Sequence, residues 1–315
     1  MVAAQGTDSL PNLALMMYNG ATNFPLLAIP LFILAGAIMN TSGISRRLID
    51  FASALLGSIR GALAQVNVLT SMFFAEISGS AVADVAATSS ILIPAMKKRG
   101  YPAPFSAAVT SSSASLAIII PPSIPMILYA VMAGTSVVKM FVAGIVPGLL
   151  GGLSMMALCY WIAVRRGYPV EELFQLRRVW QTFKDAALAL LLPLIILGGI
   201  FGGFVTATEG AGLAVVAAIV IAFWYREMNW RLLWQAVVDG AAQTAVVMLL
   251  VAASALLGGY LTEQQLPQKL AGAITEVTSE PWAILMLMNV FFLVIGLFLH
   301  SAAAIILVVP IVMPV

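Results

Sequence analysis

Ser78, Gly79 and Ser80 stand at the centre of a stretch, residues 67–99, that is apolar at both ends and small and polar in the middle. Glu76 and Asp84 flank the triplet, and the stretch is expected to stop at Pro94 and the basic cluster Lys97, Lys98 and Arg99. Chain turns of this kind offer backbone carbonyls and hydroxyls, the oxygen ligands that hard cations prefer. Helix N-termini at the same place favour a carboxylate. One motif thus attracts both a cation and an anionic ligand. A second set of similar groups lies in IIIPPSIP, residues 118–125. Pro121 and Pro122 each lack an N–H, so each removes a helical hydrogen bond. The carbonyls they free must be satisfied by something other than lipid, and Ser123 stands beside them.

Other groups carry weaker signals. Asp84 reads as an ion ligand, a partner for a nearby dipole, or a residue in the first turn of a helix after the triplet; the last is preferred. Glu76 divides evenly between a proton- or ion-carrying carboxylate and a buried acceptor. Thr110, Ser111 and Ser112, with Asp84, are candidates for lining a substrate path, although small polar residues also serve ordinary helix packing in lipid. His300 has the chemistry to titrate near neutrality, and histidines in apolar runs are also held by a hydrogen bond at a helix end. Glu209 is placed at an outer interface. There is one His and one Cys, Cys159, and no HExxH-like motif. A nucleophile with its base, or a metal cluster, is therefore not expected, and neither is an enzyme.

The elements that must position these groups follow from composition. The chain is 62% hydrophobic and 9% charged, against roughly 25% charged in soluble domains. That describes an all-α polytopic membrane protein embedded in a lipid bilayer. A net charge of +2 gives no case for nucleic acid. The lone cysteine excludes a disulfide within the chain. Residues 1–23 read as an extramembrane N-terminal loop without the basic start of a signal peptide. A first repeat covers 24–164: a span, an interfacial amphipathic helix at 44–59, a re-entrant hairpin at 67–98, a broken helix at 105–133 and a span at 141–164. In the interfacial helix Arg46, Arg47 and Asp50 alternate with Ile44, Leu48, Phe51 and Leu55. Residues 165–184 form a hydrophilic connector on the cytoplasmic side. A second repeat, 185–315, holds further spans, an interfacial helix at 264–280 and a second hairpin at 282–315.

As one spanning helix, 67–99 would carry two carboxylates near mid-membrane at high cost. As two half-length helices meeting at 78–84 it makes sense. The order of elements repeats, with Asn67 aligning on Asn289 and Ser78 on His300. Basic residues at Arg46/Arg47, 97–99, Arg165/Arg166 and Arg226/Arg231 all fall on one side, so the second copy is inverted. Inverted repeats with broken helices at the midplane mark secondary transporters. A channel of similar build is the alternative. The second copy lacks its own broken helix and the first span lacks a predecessor, so the chain is expected to be truncated at both ends.

These residues resemble the large membrane subunit of tripartite ATP-independent periplasmic (TRAP) transporters. The likeness is carried by AIPLFILAGAIMNTSGISRRLIDFA at 28–52, FAEISGSAVADVAATSSILIPAMKKRGYP at 74–102, IIPPSIPMILYA at 119–130 and FVAGIVPGLL at 141–150. The resemblance implies an inverted-repeat, elevator-type fold in a bacterial inner membrane and sodium-coupled uptake of organic acids, C4-dicarboxylates among them. It implies two partners, a small Q-type membrane subunit and a soluble P-type periplasmic binding protein. Na+ is the implied coupling ion, with no other cofactor. A first sodium site would use Ser78, Gly79 and Ser80 with Pro121, Pro122 and Ser123. A second would use the tip around His300 and Ser301, where the family often carries an acidic residue in place of the histidine, together with a loop that this chain does not contain.

Overall fold

The computed structural model describes residues 10–170, 173–265, 268–269, 272, 280–299 and 301–312. Among them all regular structure is helical. The helices are α1 (Leu10–Ala21), α2 (Ala28–Thr41), α3 (Ile44–Leu56), α4 (Ala62–Ser78), α5 (Ala81–Lys98), α6 (Ala103–Ala114), α7 (Ile124–Met132), α8 (Val137–Arg166), α9 (Leu176–Phe201), α10 (Ala207–Trp224), α11 (Trp230–Glu263), α12 (Pro281–Gly296) and α13 (Ser301–Val312). Short 3-10 turns at Phe24–Leu27 and Ser115–Ile118 lead into α2 and out of α6.

Among the described residues five stretches are long and apolar enough to cross a bilayer: Phe24–Thr41, Val137–Arg166, Leu176–Phe201, Ala207–Trp224 and Trp230–Leu261. A crossing needs about 20 apolar residues. Large apolar side chains such as Leu150, Leu153 and Trp161 on α8 point away from the chain's own core. With lipid as the solvent, that outward apolar face is what these helices require. The protein is a multi-pass membrane protein.

The chain folds into two compact units. One comprises Ala28–Met126 with Val138–Ala242, the other Met1–Leu27, Ile127–Val137 and Gln243–Val315. In the first unit α10 lies along α2, and small residues on α10 (Ala207, Ala211, Ala214, Ala218) let the two backbones approach. The amphipathic α3 packs on α9 and α4. Helices α4, α5 and α6 pack on one another, with the first 3-10 residues after α6 lying on α4. Val68, Met96, Leu116 and Cys159 meet in their shared core. In the second unit Gly20 of α1 touches Ala255 of α11 so closely that a Cβ would lie 2.2 Å from the alanine methyl.

Three sequence expectations are corrected. The N-terminal loop contains α1: Leu10, Leu13, Leu15, Met16 and Met17 supply a helical apolar run, and Pro11 falls in the first turn, where its missing N–H costs nothing. Pro94 does not stop the helix; α5 runs through it to Lys98, the bound expected for the hairpin, and closes where Arg99 N–H donates to Ala95 and Met96 carbonyls. The connector is helical from Leu176 on, because Phe183 packs its ring 5.7 Å from Phe51 of α3 and Trp180 stacks on Phe183. Most of the expected interfacial helix 264–280, and His300, lie outside the described residues.

Candidate functional site: the hairpin apex and the opened helix

Between α4 and α5 the chain reverses in two residues. Gly79 closes α4 in the left-handed conformation, φ +57° and ψ +15°, with its N–H on the Ala75 carbonyl. That conformation costs any residue with a Cβ, which is why glycine stands there. Ser80 then opens α5 as its N-cap; its Oγ accepts from Ala83 N–H at 3.5 Å. A serine hydroxyl suits this position because it satisfies one of the four orphan N–H groups of a helix start. Ser78 is the last residue of α4. The sequence Ser-Gly-Ser is thus a stop signal followed at once by a start signal.

Opposite it the next helix comes apart. α6 ends at Ala114, tightens into the 3-10 turn and unwinds through Pro121, Pro122 and Ser123 before α7 begins at Ile124. The Pro121–Pro122 peptide is cis. In a continuous helix the N–H of residue 122 would bond the Ile118 carbonyl; proline has none. The Ser123 hydroxyl donates to that carbonyl instead, at 2.6 Å, from a fully buried position. The opening is therefore repaired by the serine that follows it.

The two breaks meet. Ile124 N–H donates to the Gly79 carbonyl at 3.4 Å. A Cβ placed on Gly79 would lie 2.7 Å from the Pro122 carbonyl oxygen and 3.3 Å from Ser123 Cα. So the carbonyl oxygens of Gly79 and Pro122 and the hydroxyls of Ser80 and Ser123 belong to one small region where helices end and begin. From the far side α8 holds the opened strand. A Cβ on its Gly144 would sit 2.5 Å from the Ile119 carbonyl oxygen, and one on Gly148 2.6 Å from Ile120 Cγ1.

The other predicted residues lie elsewhere. Thr110 is buried: it accepts from Asn67 Nδ2 at 2.7 Å and donates to the Ser106 carbonyl at 2.9 Å. Ser111 and Ser112 are exposed, and Ser112 borders an apolar groove of about 200 Å³ lined by Val68, Phe105, Met155 and Cys159. Asp84 lies in the first turn of α5 and has no accessible surface. Ser301 is the first residue of α13, which follows the break after α12 at Gly296.

Two features were not singled out from the sequence. Asn67 and Ser71 on α4 face Thr110 and Ser113 on α6, with the Ser71 and Ser113 hydroxyls 2.9 Å apart and Ser113 donating to Asn67 Oδ1 at 3.4 Å. Polar residues spaced four apart on one segment and three apart on another, both in apolar surroundings, were the available signal. The second is a charged recess of about 460 Å³ bounded by Arg46, Arg47, Asp50, Asp185 and Glu227. Arg47 donates to Glu227 at 2.6 Å and lies 3.9 Å from the centre of the Tyr225 ring. The bond from Arg47 holds the Glu227 carboxyl below its ordinary range, and the same bond holds Arg47 above its own. Burial raises Asp50, against the pull of Arg46. Glu209, by contrast, forms a capping box with Thr206 at the start of α10.

The family model described as "Tripartite ATP-independent periplasmic transporter, DctM component" matches residues 1–315. The chain is 41% identical over 309 residues to the C4-dicarboxylate TRAP transporter large permease protein DctM of Pseudomonas aeruginosa, covering 98% of this chain and 72% of that protein. It is 36% identical over 303 residues to the sialic acid TRAP transporter large permease protein SiaM of Vibrio cholerae, covering 96% of this chain and 71% of that one. It is 39% identical over 316 residues to the isethionate TRAP transporter permease protein DctMQ of Oleidesulfovibrio alaskensis, covering all of this chain and half the length of that relative.

Proposed function

This chain belongs to the DctM component family of tripartite ATP-independent periplasmic transporters, and on that premise we propose that it works as the large permease subunit of a sodium-coupled carrier of organic acids. The observation that carries the reading is the meeting of Gly79 with the segment 122–124. Sodium needs several oxygen ligands. Residues 78–80 and 121–123 offer carbonyls and hydroxyls from two separate breaks, and no other described part of the chain pairs two helix interruptions in this way. The start of α5 at Ser80 adds N–H groups and a positive dipole end, which favour a carboxylate close to the ion.

The substrates named for the relatives, a C4-dicarboxylate, sialic acid and isethionate, are all organic acids. An anionic substrate class for this chain follows, with the choice of acid depending on a periplasmic binding protein that delivers it. A small membrane subunit completes the complex in the bacterial inner membrane; in the isethionate relative the name DctMQ joins two such designations. A second ion site at the break before Ser301, and an elevator movement of the hairpins, belong to the same reading.

The test is sodium activation of uptake in the complete transporter. Ser80→Ala and Ser123→Ala are each expected to shift the activation curve to higher sodium by about tenfold, the effect of losing one hydroxyl ligand. Sodium curves that stay at wild type in both variants would overturn the assignment of this apex as the ion site.

A further inference from the structure

We propose that Asp84 anchors a further cation site, apart from the hairpin apex, inside the packing of α4 on α5 and α6, with Thr70 and Ser71 supplying hydroxyl oxygens. Asp84 has no accessible surface. Neither of its carboxylate oxygens has a hydrogen-bond partner among the described residues. The Ser71 hydroxyl faces the carboxylate and also lies 2.9 Å from the Ser113 hydroxyl, and a neutral hydroxyl brings no compensating charge. Thr88, one turn on, donates to the backbone carbonyl of Asp84 and not to its side chain. The Asn67 amide donates to Thr110 and to the Met96 sulfur. Among the described residues the ion pair is Arg47 with Glu227, and no basic side chain pairs with Asp84.

A buried carboxylate without a compensating charge is costly even after relaxation, and an ionisable group inside a membrane protein marks a functional site unless a partner explains it. The helix start favours an acid in this position only weakly, which does not balance that cost. A compensating positive charge is what the site lacks. On α4, Ser71 is preceded by Thr70, whose Oγ1 is also buried and also without a hydrogen-bond partner among the described residues. Ser71 itself lies one helical turn from Asn67. One carboxylate with neutral hydroxyls balances a single charge and offers only oxygen, so a hard monovalent cation fits and a divalent one does not. The choice of sodium among monovalent ions rests on the sodium-coupled reading above; the site itself does not.

The experiment uses the purified full chain in lipid nanodiscs. Binding of radiolabelled sodium and the sodium-dependent rise in unfolding temperature are measured for wild type, Asp84→Asn, Thr70→Val and Ser80→Ala, with choline as the control cation. Asp84→Asn keeps the shape and removes the charge, and is expected to bind one sodium fewer than wild type. Thr70→Val is isosteric and is expected to weaken one binding step by about tenfold. Wild-type sodium binding in Asp84→Asn would overturn the proposal, because Asp84 would then be a neutral acid. If Asp84→Asn does not fold, wild-type sodium binding in Thr70→Val overturns it. Ser80→Ala separates the two readings: a loss in Asp84→Asn with none in Ser80→Ala condemns the apex site and leaves this one standing.

Discussion

Gly79 shows how much can depend on a missing methyl group. Its φ of +57° lies where a Cβ meets the chain's own carbonyl, and the space that Cβ would need is already taken by Pro122. Gly79→Ala therefore combines two penalties. The left-handed conformation alone costs about 1–2 kcal/mol, and the Pro122 carbonyl is backbone, which cannot swing aside as a flexible side chain can. We expect Gly79→Ala to lower the unfolding temperature and to abolish sodium-dependent uptake together; an alanine variant with wild-type stability and uptake would mean that the apex is not packed against the opened helix. Ser123 occupies the complementary position. Its hydroxyl closes the carbonyl that Pro122 leaves open, while its lone pairs remain to accept or to ligate.

At the scale of elements, α3 behaves as a strut lying across α9. One face buries Ile44, Leu48 and Ala52, and the other carries Arg46 and Asp50. Its fixing point is Arg47, clamped between Glu227 and the Tyr225 ring. Because the folded pKa of Glu227 is depressed, the pair contributes stability above the unfolded carboxyl pKa of about 4.3, and that contribution is lost as pH falls through the folded value. Glu227→Gln should therefore lower the unfolding temperature at neutral pH, by an amount worth about 0.2–1 kcal/mol for a partly exposed pair. The difference should vanish in the acid range. A difference that persists there would assign the effect to packing and not to charge. The elements were legible where a residue acts locally. Ser-Gly-Ser announces a stop and a start, the double proline announces an opening, and the alternation of arginines with apolar residues announces a surface helix. They were not legible where packing overrules a local rule. Pro94 lies inside α5, and the charged connector winds into α9 once Trp180 and Phe183 find a neighbour. Nor does spacing reveal that Asp84 is buried, since that depends on three helices closing over it.

For the whole molecule, membership of the DctM component family and five bilayer-length helices agree with a hydrophobic composition that left no room for a soluble fold. On the proposed reading, the apex site draws its oxygens from interruptions of helices. Among the described residues no group of three or more His, Cys, Asp or Glu gathers as it would around a metal of the zinc type. A glycine-closed turn and a proline-opened helix would supply the oxygens, and a bilayer tolerates such breaks only when each is covered by protein. The central claim is that these two breaks form one ion site. A double-mutant cycle of Ser80→Ala and Ser123→Ala, read as apparent sodium affinity in the complete transporter, tests it most directly. If both hydroxyls serve one ion, the double variant loses clearly less than the sum of the two single losses, with a coupling above about 0.5 kcal/mol. Losses that simply add, or no loss in either variant, would contradict it.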